Sequence, residues 1–156
     1  MSRPCAIVLS CFLLLTVLGA GPAAAQGAEA EVRATIVRLF DGMREGDSAK
    51  VRSVFHPAAR LGSAAEREGV VSVRPDSPEA FIRAVGAPKE VQWDERIANL
   101  VIQIDGPLAS AWMDYTFYAG PRRSHCGVNA MQLVRMAAGW QIVSLIDTRR
   151  PEGCIA

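Results

Sequence analysis

Long runs of alternating side chains in the second half of the chain constrain its fold more than any other feature. Val91, Trp93, Glu95 and Ile97 alternate with Gln92, Asp94 and Arg96, and Leu100, Ile102 and Ile104 carry the alternation to an Asp105-Gly106-Pro107 turn. Residues 108–118, 124–136 and 140–148 continue in the same extended character. Period two over runs of this length, joined by short turns, predicts an antiparallel meander. Strands so long suit one strongly curved sheet better than a small sandwich.

The first half carries the helices. Val32, Ile36, Leu39, Phe40 and Met43 recur at spacings that line one face of a helix, and Gly46 ends it. Asp47 is placed to cap a second, shorter helix with Val51, Val54 and Phe55 inward, His56 and Pro57 closing it. Leu61 opens a short strand, residues 64–69 read as polar and flexible, and residues 70–73 are a stronger strand. Ser77-Pro78-Glu79 is a helix start: a cap, a proline at the first position and an acid facing the positive helix end. Phe81, Ile82 and Val85 form its apolar side and Gly86 stops it. The expected architecture is therefore α+β: a cone-shaped, strongly curved antiparallel sheet, with three N-terminal helices enclosing a pocket at its open end.

At 156 residues the chain holds one domain with enough apolar material for a core. Residues 1–25 are set apart as a secretory signal peptide. Arg3 is their one charge, residues 6–19 are apolar, and Ala23-Ala24-Ala25 offers the small residues a signal peptidase accepts. Residues 26–30 read as a flexible lead-in, and residues 26–156 form the domain. The apolar run is short of the roughly 20 residues that span a bilayer, so no membrane anchor is expected after cleavage. The expected location is secreted or periplasmic.

Cleavage would remove Arg3 and leave 16 basic against 16 acidic residues. A neutral chain lacks the concentrated positive field of a nucleic-acid binder. Cys126 and Cys154 would remain, in an oxidising compartment where they either bridge or stay as separate thiols. His56 and His125 are far apart, without ligand-spaced partners, so neither a metal nor a cofactor is expected.

The C-terminal half resembles a known family. Ala111-Trp112 and the strand through Tyr118, His125-Cys126-Gly127-Val128-Asn129, Gly139-Trp140-Gln141-Ile142-Val143 and Asp147-Thr148-Arg149-Arg150, with Gly153-Cys154, resemble the lumazine-binding branch of the nuclear transport factor 2-like superfamily. The similarity runs from about residue 30 to 155. It implies the cone fold, often dimerised across the sheet. The superfamily includes ketosteroid isomerase, dehydratases, SnoaL-like polyketide cyclases and non-catalytic binding domains, so the resemblance implies no single chemistry. It also places Trp112, Tyr115 and Tyr118 around the cavity or dimer face. Asp41 lies on helix 1 near where an isomerase base would stand, or else is an exposed helix end.

Several further candidates come from strand parity. His125 and Asn129 share a face, with Gly127 leaving room between them, and could orient a heterocycle or relay a proton; otherwise His125 anchors a turn. Asp147 and Arg149 share a face as a structural ion pair, a ligand contact or, least in keeping with a paired anion, a catalytic group. Asp114 shares its face with Trp112, Thr116 and Tyr118; it is a buried base if that face is inside, and a surface residue if it is not. Asp114, His125 and Asp41 are thus the catalytic candidates. Trp112, Tyr115, Tyr118, Asn129, Asp147 and Arg149 are the ligand-binding ones. The leading expectation is an exported homodimer that binds a small hydrophobic or heterocyclic molecule. The alternatives are a cofactor-independent lyase or isomerase using general acid–base chemistry, and an interaction domain using the outer sheet face.

Overall fold

The computed structural model describes residues 22–154. The apolar run at 6–19, and most of the leader read from the sequence, lie outside the described residues. Helix α1 spans Pro22–Glu45. Residues 26–30, expected as a flexible lead-in, are helical, in keeping with the helix propensity of Gln26, Ala28, Glu29 and Ala30. Val32, Ile36, Leu39, Phe40 and Met43 are buried along one stripe. The helix ends at Gly46, whose φ of +70° suits a residue without a side chain. In that conformation the Gly46 and Asp47 amides reach the Met43 and Gly42 carbonyls.

Asp47 accepts from the Lys50 amide at 2.8 Å and caps α2 (Ser48–Val54). Strand β1 (Phe55–Arg67) follows directly, so His56 and Pro57 begin a strand rather than close a helix. Glu68 and Gly69, with φ of +51° and +78°, form a two-residue turn into β2 (Val70–Asp76). Two left-handed residues give the turn that matches the twist of paired strands. Residues 64–67, read from the sequence as flexible, are therefore paired strand. Ser77 caps α3 (Pro78–Gly86), accepting from the Ala80 amide at 3.1 Å.

Strands β3 (Trp93–Asp105), β4 (Leu108–Ala119), β5 (Arg122–Met136) and β6 (Gly139–Thr148) form the antiparallel meander. The two alternating runs before Asp105 are one strand. Its register shifts between Ala98 and Val101, around Asn99 with φ +52°, which moves the inward positions from Trp93, Glu95 and Ile97 to Leu100, Ile102 and Ile104.

The full sheet has six strands in the order β2-β1-β6-β5-β4-β3, with β1 parallel to β6. This corrects the expected cone with its strongly curved antiparallel sheet: the sheet is mixed and open, with β2 and β3 as separate edges. Alternation identifies strands and the residues that share a face, but it does not encode pairing direction. Here α3 carries the chain from the β2 edge to the β3 edge, and the meander returns to lay β6 beside β1. The three helices stand where expected, with α3 between the strand at residues 70–76 and the meander.

Helices α1, α2 and α3 cover one sheet face. Val32, Ile36 and Leu39 pack there with Ile82, Met113, Met131, Leu133 and Ile142 in a continuous core. The opposite face leaves Trp112, Val101 and Ile146 exposed. Among the described residues no helix is long and apolar enough to cross a membrane.

Candidate functional site

Toward one end of the covered face the core gives way to a cleft with two lobes. The inner lobe, about 80 Å³, lies against Leu39, Phe40, Leu61, Ser63, Asn129 and Leu145. The outer lobe, about 440 Å³, is bounded by Arg74, Trp93, Phe117 and His125. Met43, Asp76, Phe81, Glu95, Asp147 and Arg149 line both. Apolar side chains from α1 and α3 thus face a polar patch on the sheet.

Irregularities in the strands aim that patch. On β6, Trp140 and Ile142 point into the core, but a register shift opposite Gln132 and Leu133 changes the phase. Beyond it the odd positions Leu145, Asp147 and Arg149 face the cleft. Asn129 pairs with Asp147 across β5–β6, and its amide donates to Glu95 Oε1 at 2.7 Å. Gly127 lies opposite Tyr115; a Cβ there would come within 1.8 Å of the Thr148 carbonyl oxygen and 2.8 Å of the tyrosine ring. That gap lets the Tyr115 hydroxyl donate to the Thr148 carbonyl at 2.8 Å, while lying 3.1 Å from Asp147 Oδ2.

Asp147 is the centre of the patch. Its Oδ2 accepts from Arg149 Nε at 2.7 Å. Its Oδ1 is buried with no hydrogen-bond partner among the described residues. An anionic oxygen taken from water without a donor is unfavourable, so this atom requires an explanation.

The neighbouring groups are shifted by burial and by one another. Desolvation, with the Asp147 charge adding to it, pushes the Glu95 carboxyl up to about 7, despite the opposing Asn129 hydrogen bond. Burial, reinforced by Asp147 and Glu95, raises Tyr115 and keeps its hydroxyl protonated. Burial and the Arg149 charge lower His125, whose ring lies 5.0 Å from Phe117 and 5.8 Å from Tyr115. Burial works against the Arg149 charge, but pairing with Asp147 outweighs it and leaves the guanidinium raised. The cleft therefore combines a carboxyl poised near neutrality, a neutral imidazole and an ion pair with one acceptor unfilled. Such a set can hold a polar edge of a small molecule or exchange a proton with it.

Of the residues singled out from the sequence, Tyr115, His125, Asn129, Asp147 and Arg149 are brought together at this patch. Asp114, Trp112 and Tyr118 stand on the opposite face of β4. Asp114 accepts from Asn99 there at 2.8 Å, and the Tyr118 ring lies under Arg96. Asp41 pairs with Arg44 at 3.0 Å, and Arg44 also bonds Asp94; neither carboxylate lines the cleft. Cys126 and Cys154 are joined, with sulfurs 2.11 Å apart. Cys126 and Arg150 also exchange backbone hydrogen bonds of 2.9 Å, fastening the segment that carries Arg149. Sequence reasoning missed Glu95 as a site residue. Its signal was a carboxylate in phase with Trp93 and Ile97 on an otherwise apolar inward run.

The fold is shared with solved structures. A protein of unknown function from Mycobacterium tuberculosis aligns over 83% of this chain and 76% of its own, at 15% identity and a TM-score of 0.66. An NTF2-like protein with a cystatin-like fold from Novosphingobium aromaticivorans aligns over 81% and 84%, at 12% identity and 0.66. A protein described as a putative dehydratase of the NTF2-like family, from Streptomyces avermitilis, aligns over 81% and 97%, at 14% identity and 0.60. At these identities the likeness defines the class by fold alone: an NTF2-like α+β domain. Within that class the family model described as "Putative lumazine-binding" matches residues 27–146, and the chain belongs to that family. No curated protein gives a significant sequence match.

Proposed function

We propose that the protein is an exported small-molecule-binding domain whose ligand occupies the cleft between α1, α3 and the sheet. The observation that carries this reading is Asp147 Oδ1: a buried anionic oxygen without a donor, on the wall of a two-lobed cleft. Its surroundings match what small-molecule sites use, a mostly apolar enclosure with a few placed polar groups. Met43 and Phe81 supply the apolar side, while Glu95, Asn129, Asp147 and Arg149 supply the polar one. Export follows from the leader read in residues 1–25, and the Cys126–Cys154 bridge suits an oxidising compartment. A homodimer across the exposed sheet face around Trp112 is part of the same proposal.

A second reading, a cofactor-independent lyase or isomerase, is favoured by one feature. Glu95, with its pKa near 7, shares the cleft with His125 and Asp147, and the Tyr115 hydroxyl lies 3.1 Å from Asp147 Oδ2, a set suited to general acid–base work at neutral pH.

The test is native mass spectrometry of the protein exported by a host cell and purified without reducing agent. The reading expects a mass consistent with cleavage after Ala25 and a bridged cysteine pair, and a reproducible adduct that Phe81→Asp removes. A bare protomer that also fails to bind any member of a small-molecule library would overturn the binding reading. Uncleaved protein retained in the cytoplasm would overturn export.

A further inference from the structure

The two free edges of the sheet are built differently. Edge strand β3 carries Asp94, Arg96 and Asn99, its register breaks between Ala98 and Val101, and Arg44 of α1 bonds Asp94. Charges and a bulge are what keep an edge from pairing with another chain. Edge strand β2 has neither over its first four residues. Val70-Val71-Ser72-Val73 is uncharged, and its register with β1 runs unbroken from Val70 to Asp76. Val70, Val71 and Val73 are 68%, 70% and 66% exposed, although they lie on both faces of the strand. The turn fixes which groups this edge offers. A two-residue turn makes Arg67 and Val70 a hydrogen-bonded pair, so Val70, Ser72, Arg74 and Asp76 bond β1. The N–H and C=O of Val71 and Val73 then point away from the sheet. Pro75 falls in this outward set, where its missing N–H takes nothing from the β1 ladder.

We infer that β2 pairs antiparallel with β2 of a second copy about a two-fold axis at Val71, carrying the sheet of one protomer into the next. In this register Val71 lies against the partner's Val71, Val70 against the partner's Ser72, and Glu68 against the partner's Arg74. Glu68 and Arg74 take part in no ion pair among the described residues. They stand three residues to either side of Val71, so the symmetry makes both charge pairs at once. Pairing also ends before Pro75, so no donor is missing within it. An axis at Ser72 instead sets Glu68 against the partner's Asp76, and one at Val73 sets Pro75 against the partner's Val71. A second copy carries the complementary spacing by construction, which an unrelated strand does not. A seven-residue strand buries well under the roughly 1,600 Å² of a stable complex, so the contact is a weak one that forms at high concentration. It is separate from the face around Trp112, and it brings the partner's Glu68 to Arg74 at the rim of the outer lobe.

The experiment is sedimentation velocity with amide hydrogen exchange on the disulfide-intact Trp112→Glu protein, which silences the outer face, at loadings from about 10 μM to about 1 mM. The expected result is a monomer at the low end and a growing dimer fraction toward the high end, with exchange at the Val71 amide slowing in step. Val71→Pro removes the outward N–H without touching the β1 ladder and keeps the protein monomeric throughout. Arg74→Glu sets acid against acid and weakens association by about tenfold, and adding Glu68→Arg restores it. If Val71→Pro fails to fold, the charge exchange alone decides. A monomer at every loading overturns the inference. So does association that Arg74→Glu leaves unchanged or that the double exchange fails to restore. Polydisperse aggregates indifferent to both charge variants overturn it too, since they show an edge that captures strands without register.

Discussion

Tyr115 and Gly127 face one another across β4 and β5, and a side chain at residue 127 would meet both the Thr148 carbonyl and the edge of the tyrosine ring. This relationship puts the Tyr115 hydroxyl on the Thr148 carbonyl and beside Asp147, tying the floor of the cleft to the end of β6. Gly127→Ala drives a Cβ against backbone at 1.8 Å, which no rotamer change relieves. The expected loss is about 2–3 kcal/mol or more, read from urea unfolding. Full stability would mean that β5 and β6 are not packed as described.

Glu95 makes stability fall as pH rises. Its folded-state pKa, near 7, is above the ordinary 4.5, so between those values the folded protein holds a proton that the unfolded chain has released. The contribution is fully present below 4.5 and is lost as pH passes through 7, on the order of 3 kcal/mol in all. Glu95→Gln, which keeps an acceptor for Asn129, is expected to flatten that slope and to be more stable than the unaltered protein at pH 8. A parallel pH profile for the two proteins would remove Glu95 from the buried patch.

His125 works in the opposite sense. Burial and Arg149 hold its folded-state pKa below the ordinary 6.5, so the unfolded chain takes up a proton first as pH falls. Stability from the neutral ring is present above 6.5 and declines below it. His125→Gln is expected to lessen acid sensitivity below pH 6.5, and NMR titration of the ring carbons gives the shift directly. A ring titrating at or above 6.5 contradicts its placement.

The Cys126–Cys154 bridge closes a separation of 28 residues and fastens the segment after β6. Cys154→Ser is expected to lower stability by about 3 kcal/mol. It is also expected to raise amide exchange at Arg150, whose backbone bonds Cys126. Unchanged exchange there would show that strand pairing alone holds the segment.

On the outer face, Trp112 is 58% exposed, with Val101 and Ile146 also uncovered on that face. If two copies pair across this face, Trp112→Glu yields a monomer with little change in melting temperature, checked by sedimentation velocity. A parent protein that already sediments as a monomer removes the dimer from the proposal.

Much of this fold was legible in the residues. The stripe from Val32 to Met43, the Asp47 and Ser77 caps and the alternation after Val91 are local signals, set within a few residues by helix and strand geometry. The cleft was legible in part, since parity places His125 with Asn129, and Asp147 with Arg149. Glu95 was visible as an acid in an apolar phase, yet nothing local distinguishes a poised carboxyl from a surface one. What separates them is desolvation by α1, α3 and the neighbouring strands.

The helices, most strands, their caps and the pairs of residues that share a face could be read from the residues alone, because these depend on backbone periodicity and neighbours a few positions away. The assembled sheet adds what those residues do not carry: β1 runs parallel to β6 in an open sheet, Asp114 faces away from the cleft, and a register shift in β6 turns Asp147 toward it. Those outcomes depend on which face the helices cover and where long strands slip in register. They are set by packing between segments distant in sequence, which no local pattern encodes.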